Sequence, residues 1–326
     1  MKWKAPPGRI RHAASYALFE DANAVFDIAL DYIKIPDNEA QYNHHVKIDG
    51  SPSIGIGKDD TGTPYVYYTK NGVNRYKSHI SLSTIKNPVL KEALTEALSA
   101  VPHLITENKT ELIGDVMYFN NQTLLSTVKP NVLEYTVDPN KQRRFGIIFH
   151  TYINQHGFKY PIDESYTSTL NDAGMIHYGS TQLDNVVSPL SVQLYCKKIE
   201  DAVEDSRKAY SSLTENAFNI IKNHEHQLAI ALHTGIKTVQ EYAWKRRLYV
   251  YKNEMPEIQE AINVYNIMNE ISTHTTQLIN NLHLPTLNGF TPTILGHEGT
   301  ISNTNDVSIK FVPPFISNLL KTNPKY

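Results

Sequence analysis

Along residues 16–34 the apolar positions step at three and four. Leu18, Phe19, Ala22, Val25, Phe26, Ala29, Leu30 and Ile33 share one face, which predicts an amphipathic helix closed by Pro36 and Asp37. From about 42 to 155 the pattern changes to short strands broken by turns. Residues 45–57 alternate, and Tyr65-Val66-Tyr67-Tyr68-Thr69 follows the turn Asp59-Asp60-Thr61-Gly62. Further strands are expected at 111–119 and 145–153, with a helix at 88–100. Residues 185–283 return to helical spacing, through Val192, Tyr195, Ile199 and Val203, then Ile258, Ile262, Tyr265 and Met268. Pro256 falls in the first turn of the last helix, where a missing N–H costs nothing. Strand signals resume at 293–302 and 307–312, and a helical turn closes the pattern around 316–320.

Strands, then helices, then strands predict one α+β domain with a large helical insertion. The expected division is 1–160 for the first part of the α+β domain, 161–290 for the insertion and 291–326 for the strands that complete it. Composition adds limits. The chain has 326 residues, 40% apolar and 20% charged, with 31 Lys and Arg against 33 Asp and Glu. That balance gives no global pull toward nucleic acid, so a local basic groove would have to supply it. The single cysteine, Cys196, allows no intrachain disulfide and no cysteine-based zinc site, which suits a reducing compartment. The basic N-terminal stretch lacks a long apolar core, and no run of roughly 18 apolar residues occurs. No membrane partner and a cytoplasmic location are therefore expected.

Candidate chemistry centres on His44-His45-Val46-Lys47-Ile48-Asp49-Gly50. Strand alternation puts Val46 and Ile48 on one face, with Lys47 and Asp49 on the other. A lysine and an acid two apart in an apolar strand are costly unless that face opens into a polar pocket. Gly50 lets backbone approach a ligand closely. A lysine amine attacks only when deprotonated, which takes burial or neighbouring positive charge to depress its ordinary pKa near 10.4. The bland alternative is a solvated strand edge followed by a turn.

Lys47-Ile48-Asp49-Gly50-Ser51 resembles the K-x-D-G motif of the covalent nucleotidyltransferases, the superfamily of ATP-dependent DNA ligases, RNA ligases and mRNA-capping enzymes. Further segments resemble the later motifs in order. Thr69-Lys70-Asn71-Gly72 looks like the basic turn after the first motif. Glu111-Leu112-Ile113-Gly114-Asp115-Val116 is similar to the third, whose acid binds the ribose, with Asp115 where glutamate is usual. Arg144-Phe145-Gly146-Ile147-Ile148-Phe149-His150 resembles the next strand, with Phe149 as the aromatic that stacks on adenine and His150 in place of the usual Asp. Glu298-Gly299-Thr300-Ile301 resembles the metal-linked E-G motif. Ser308-Ile309-Lys310-Phe311 resembles K-x-K, with Ser308 replacing the first lysine. The likeness extends to uncharacterised phage proteins with K-x-D-G and E-G segments, which would place the chain in a host cytoplasm.

The resemblance implies antiparallel sheets of the ligase adenylation type (ATP-grasp-like) and an ATP-dependent nucleotidyltransferase. Lys47 would become lysyl-AMP and Lys310 would assist. Asp49, Gly50, Lys70, Asp115, Phe149 and Glu298 would bind nucleotide, with Asp115 and Glu298 holding Mg²⁺ or Mn²⁺. Only 16 residues follow Lys310, too few for the five-stranded barrel that follows in DNA ligases and capping enzymes, so the RNA-ligase branch is the better match. ATP, RNA or another nucleic acid, and a protein partner on the helical insertion are the expected partners. The departures at Asp115, His150 and Ser308 also fit an alternative, a catalytically degenerate nucleotide- or RNA-binding module whose helical block binds a protein.

Other motifs read as structure. Asp60-Thr61-Gly62 is expected to be a hairpin turn, and Gly55-Ile56-Gly57-Lys58 lacks the spacing of a phosphate loop. On a helix, His224 and His226 diverge. Lys245-Arg246-Arg247, with Trp244 and Tyr249, is either a nucleic-acid contact or a solvated helix face. Lys141-Gln142-Arg143-Arg144 is the basic run beside the proposed adenine strand.

Overall fold

The computed structural model describes residues 10–37, 39, 44–71, 74–119, 125–162, 176–183, 186–223, 256–304 and 307–322. Among them the strands are β1 (Arg11–His12), β2 (His44–Lys47), β3 (Ser53–Lys58), β4 (Pro64–Tyr68), β5 (Glu111–Tyr118), β6 (Thr127–Val128) and β7 (Tyr135–Val137). They continue with β8 (Phe145–Ile153), β9 (Lys159–Pro161), β10 (Ile176–Ser180), β11 (Phe290–Pro292), β12 (Gly299–Thr304) and β13 (Val307–Phe311). The α-helices are α1 (Ala13–Phe19), α2 (Ala22–Asp31), α3 (His79–Leu82), α4 (Pro88–Leu104), α5 (Gln193–Ser211), α6 (Glu215–Asn223), α7 (Pro256–Asn280) and α8 (Pro314–Thr322). The class is mixed α+β with mainly antiparallel sheets, as expected; β1 with β13 and β10 with β8 pair in parallel.

The chain forms two compact units that divide it differently from the expected boundaries at 160 and 290. One contains Met1–Val46, Val186–His283 and Glu298–Tyr326; the other contains Lys47–Asn185 and Leu284–His297. The helices of 186–283 are therefore no separate insertion. Helix α7 packs on α5, α6 and α1 and also on β12 and β13, because its apolar stripe is wide enough to meet both helices and sheet.

In the first of these units the sheet order is β1-β13-β12-β2. The single helix expected over 16–34 is two. Asp21 breaks it by capping α2, its Oδ1 accepting from the Ala24 N–H at 3.1 Å, and the chain then tightens into a 3₁₀ segment, Tyr32–Asp37. Under the sheet, the Tyr32 hydroxyl meets Thr300 Oγ1 and Ser302 Oγ, and Ser302 also meets His44 Nδ1 at 2.8 Å. The strand expected from 293 begins only at Gly299, whose φ of +152° and the Phe311 carbonyl 2.2 Å from where a Cβ would stand admit no other residue without a shift.

The second unit is built on the sheet β10-β8-β5-β3-β4, with β9 on β8, and a three-stranded sheet β11-β7-β6. Asn87 caps α4 and Pro88 opens it. Helix α4 lays Leu94, Ala97, Leu98, Val101 and Leu104 against Ile54, Ile56, Val66, Leu112, Val116, Ile147 and Phe149 of the sheet. The turn at Asp59 joins β3 to β4, and its Oδ1 accepts from the N–H groups of Thr61 and Thr63, both at 2.9 Å. This is the hairpin turn expected for Asp60-Thr61-Gly62. No helix among the described residues is long and apolar enough to cross a membrane.

Candidate functional site

Strand β2 ends at Lys47, so Lys47 and Asp49 do not share a strand face as alternation predicts. Residues 48–50 have left the strand, and the chain re-enters regular structure at Ser53. Lys47 is half-buried and Asp49 is buried at 3% exposure. The Asp49 carboxylate is taken up by its own chain. It accepts from Asn131 Nδ2 at 2.7 Å and from the backbone N–H groups of Val132 at 2.7 Å and Leu133 at 2.6 Å. Asp49 is thus a structural acid and leaves the set of nucleotide-binding residues.

Gly50 has a role that the motif alone does not explain. A Cβ there would lie 2.4 Å from the Asp115 Cβ, so only glycine lets the turn lie flat on β5. The Ser51 N–H donates to the Val116 carbonyl, and the Val116 N–H donates to the Pro52 carbonyl, both at 3.0 Å, which seals the approach. Asp115 pairs in register with Ser53. Thr69 Oγ1 donates to the Ser53 carbonyl at 3.0 Å, which brings the turn bearing exposed Lys70 to the same end of the sheet.

Strand β8 carries a bulge here: Ile113 pairs with Thr151 but Gly114 pairs with Phe149, so His150 is an extra residue. Alternation with Phe149 puts His150 on the Asp115 side of the sheet, and the bulge keeps Thr151 on that side with it. Its Nδ1 meets Thr151 Oγ1 at 2.8 Å and its Nε2 stands 4.0 Å from Asp115 Oδ1. The Asp115 and His150 side chains are 22% and 34% exposed, so both are accessible. Asp115 is the acid at this end that could take a hydroxyl or serve as one oxygen ligand of a cation. Among the described residues no group of three or more His, Cys, Asp or Glu is arranged around a metal position.

Phe149 is a correction. It is wholly buried and points to the α4 side, across Gly114, where a Cβ would come within 2.9 Å of its ring. Phe149 follows Phe145 and Ile147 onto the α4 face by alternation, which leaves His150 on the Asp115 side, so Phe149 cannot stack on a base there. Glu298 and Lys310 belong to the other unit. Glu298 is buried at 8% and lies just before β12 rather than on a strand, while half-buried Lys310 pairs with Ile301. Asp115 and Glu298, expected as joint metal ligands, thus lie in different compact units. In the basic run, Gln142 is buried and accepts from the Leu125 N–H at 2.8 Å, and Arg144 pairs with Glu96 at 2.6 Å. Gly72, His224, His226, Trp244, Lys245, Arg246, Arg247 and Tyr249 lie outside the described residues.

A second cluster on the Asp115 face went unnoticed in the sequence. Tyr65 and Tyr67 each donate a hydroxyl to Glu111 at 2.7 Å, and Arg75 pairs with the same carboxylate while its guanidinium stands 4.4 Å from the Tyr65 ring centre. Burial, then the hydrogen bonds to Glu111, push both tyrosine hydroxyls well above their ordinary pKa. The rings lie over Gly55 and Gly57, which have no side chains to displace them. The available signal was period two: Glu111, Ile113 and Asp115 share one strand face, and Gly55, Gly57, Tyr65 and Tyr67 oppose it. Comparison with protein-family models, with curated proteins and with solved structures finds no significant match.

Proposed function

We propose that the chain is an ATP-dependent nucleotidyltransferase in which Lys47 takes AMP, with an RNA end as the acceptor, on a fold of the ligase adenylation type. The observation that carries this reading is the seating of Gly50 on Asp115. Two segments far apart in sequence, each resembling a motif of that superfamily, meet at one sheet end, and His150 turns toward the same place. Asp115 is suited to accept a hydroxyl of the nucleotide, and Lys70 to meet phosphate at the rim. A divalent cation, when bound, supplies neutralisation of the triphosphate charge. The deprotonated Lys47 amine forms an N–P bond to the α-phosphorus of ATP, the bond to pyrophosphate breaks, pyrophosphate leaves with the electron pair, and the nitrogen gives up one proton to solvent. Glu298 and Lys310, which the resemblance would give to the metal and the α-phosphate, belong to the other compact unit and carry no part of this reading.

The test is incubation with α-labelled ATP and Mg²⁺ or Mn²⁺, followed by a denaturing gel. Acid-labile label on the wild type, absent from Lys47→Ala, is expected. Unlabelled wild type, or a labelled Lys47→Ala, ends the catalytic reading. A second reading, a binding module without catalysis, draws on the burial of Phe149 away from Asp115 and on the three hydrogen bonds that the Asp49 carboxylate accepts from its own chain. It expects ATP or RNA to be retained on the folded chain with no covalent label, and a protein partner whose binding survives Lys47→Ala.

A further inference from the structure

The turn that follows Lys47 is fastened to both sheets of its unit. On one side, Gly50 lies against β5. On the other, Asp49 is gripped by residues 131–135. Its backbone N–H donates to Tyr135 Oη at 3.1 Å, and Tyr135 is a wholly buried residue of β7. Its Oδ1 accepts from Asn131 Nδ2 and its Oδ2 from two successive backbone N–H groups. These use three of the roughly four acceptor sites of a carboxylate. Hydrogen bonds to a charged acceptor are the strong ones, and an aspartate this deeply buried needs them. Only Ile48 separates Asp49 from Lys47, and it is itself buried at 4% exposure. The point at which the Lys47 backbone leaves its strand therefore has little freedom.

We infer that Asn131 and Tyr135 are positioning residues for Lys47, acting through Asp49. The acid of K-x-D-G does not touch the ligand here; it anchors the lysine. The inference rests on Lys47 being the reactive amine of the proposed function, but the anchoring can be read without that function. An amine held within reach of a phosphorus atom owes much of its rate to that placement, so loosening the anchor slows the reaction more than it weakens ATP binding.

The decisive experiment exchanges the partners. Asn131→Asp sets one carboxylate against another and breaks the grip. The double variant Asp49→Asn/Asn131→Asp restores an amide-to-carboxylate bond with the charge on the other side, and leaves an amide oxygen facing the two backbone N–H groups. Two readouts are taken on full-length protein. One is the rate of AMP labelling across ATP concentrations. The other is acylation of the Lys47 amine relative to Lys70 across pH, followed by mass spectrometry, which needs no ATP. Asn131→Asp is expected to slow labelling about 100-fold with half-saturating ATP little changed. Lys47 acylation is expected to shift at least about 3-fold, with Lys70 constant, and the double variant to recover both readouts to within about 3-fold of wild type. A folded double variant that stays as impaired as Asn131→Asp overturns the inference, because Asp49 then acts on the ligand directly. Unchanged labelling and acylation in Asn131→Asp also overturn it. Should Asn131→Asp not fold, Asn131→Ala removes a single hydrogen bond and is expected to slow labelling about 10-fold, while wild-type rates in that variant refute the inference. A wild type that takes no AMP ends the proposed function, and the acylation arm still decides the anchoring.

Discussion

On one face of the six-stranded sheet, Ile54, Ile56, Val66, Leu112, Val116 and Phe149 close against helix α4 with no polar side chain among them. The same strands present Gly55, Gly57, Tyr65, Tyr67, Glu111, Asp115 and His150 on the other face. The first face is held by area removed from water, which is indifferent to direction. The second is held by directed contacts, among them two tyrosine hydroxyls on one carboxylate and a glycine that lets a turn lie flat. A sheet that delegates its stability to one face can arrange chemistry on the other, and it can tolerate an extra residue there.

The largest test of that contrast is Phe149→Ala. If Phe149 belongs to the packed face, the variant loses about 3–5 kcal/mol in denaturant unfolding, as large-to-small changes in cores do. A loss below about 1 kcal/mol would return Phe149 to the ligand side, because exposed substitutions cost little. Acid comes next and acts on directed, polar groups. Burial holds His177 and His297 of this unit below the ordinary histidine pKa, His297 at about 3, and holds His44 of the other unit at about 4. These folded pKa values lie under the unfolded value near 6.5, so the unfolded chain binds protons first. The stability they allow is full above pH 6.5 and is lost as pH falls through the window toward 4 and 3. A decline of roughly 2 kcal/mol or more between pH 7 and 4 is expected from urea midpoints; a flat profile would mean that these imidazoles are solvated. The smallest effect on stability belongs to His150→Ala, expected to stay within about 0.5 kcal/mol of wild type. Its AMP labelling is nonetheless expected to fall about 10-fold or more, as for a group that contacts substrate. Equal labelling with reduced stability would make His150 a structural residue.

Local pattern was legible where the cause was local. The strands 145–153 and 111–118, the helix that starts at Pro88 and the turn at Asp59 all follow from period and turn chemistry written in neighbouring residues. The bulge at His150 was not, because it depends on the register of two strands distant in sequence. The fate of Asp49 was illegible for the same reason: its partners at 131–133 are ordinary loop residues until the chain folds. The helical block looked like an insertion because an apolar stripe does not state which sheet it covers. The contact of Gly50 with Asp115 was illegible too, since it joins two segments distant in sequence and no local pattern states that closeness.

The sheet order β1-β13-β12-β2 has a consequence for synthesis. Arg11 and His12 pair with Ile309 and Lys310, almost the full chain apart. During translation β1 and β2 emerge long before the two strands that fill the space between them. Until then each has an open edge, the kind of surface that recruits other chains. Such distant pairing also slows folding, because loop closure must precede its reward. Ribosome-stalled chains ending before residue 299 should therefore depend on chaperones far more than the finished protein does.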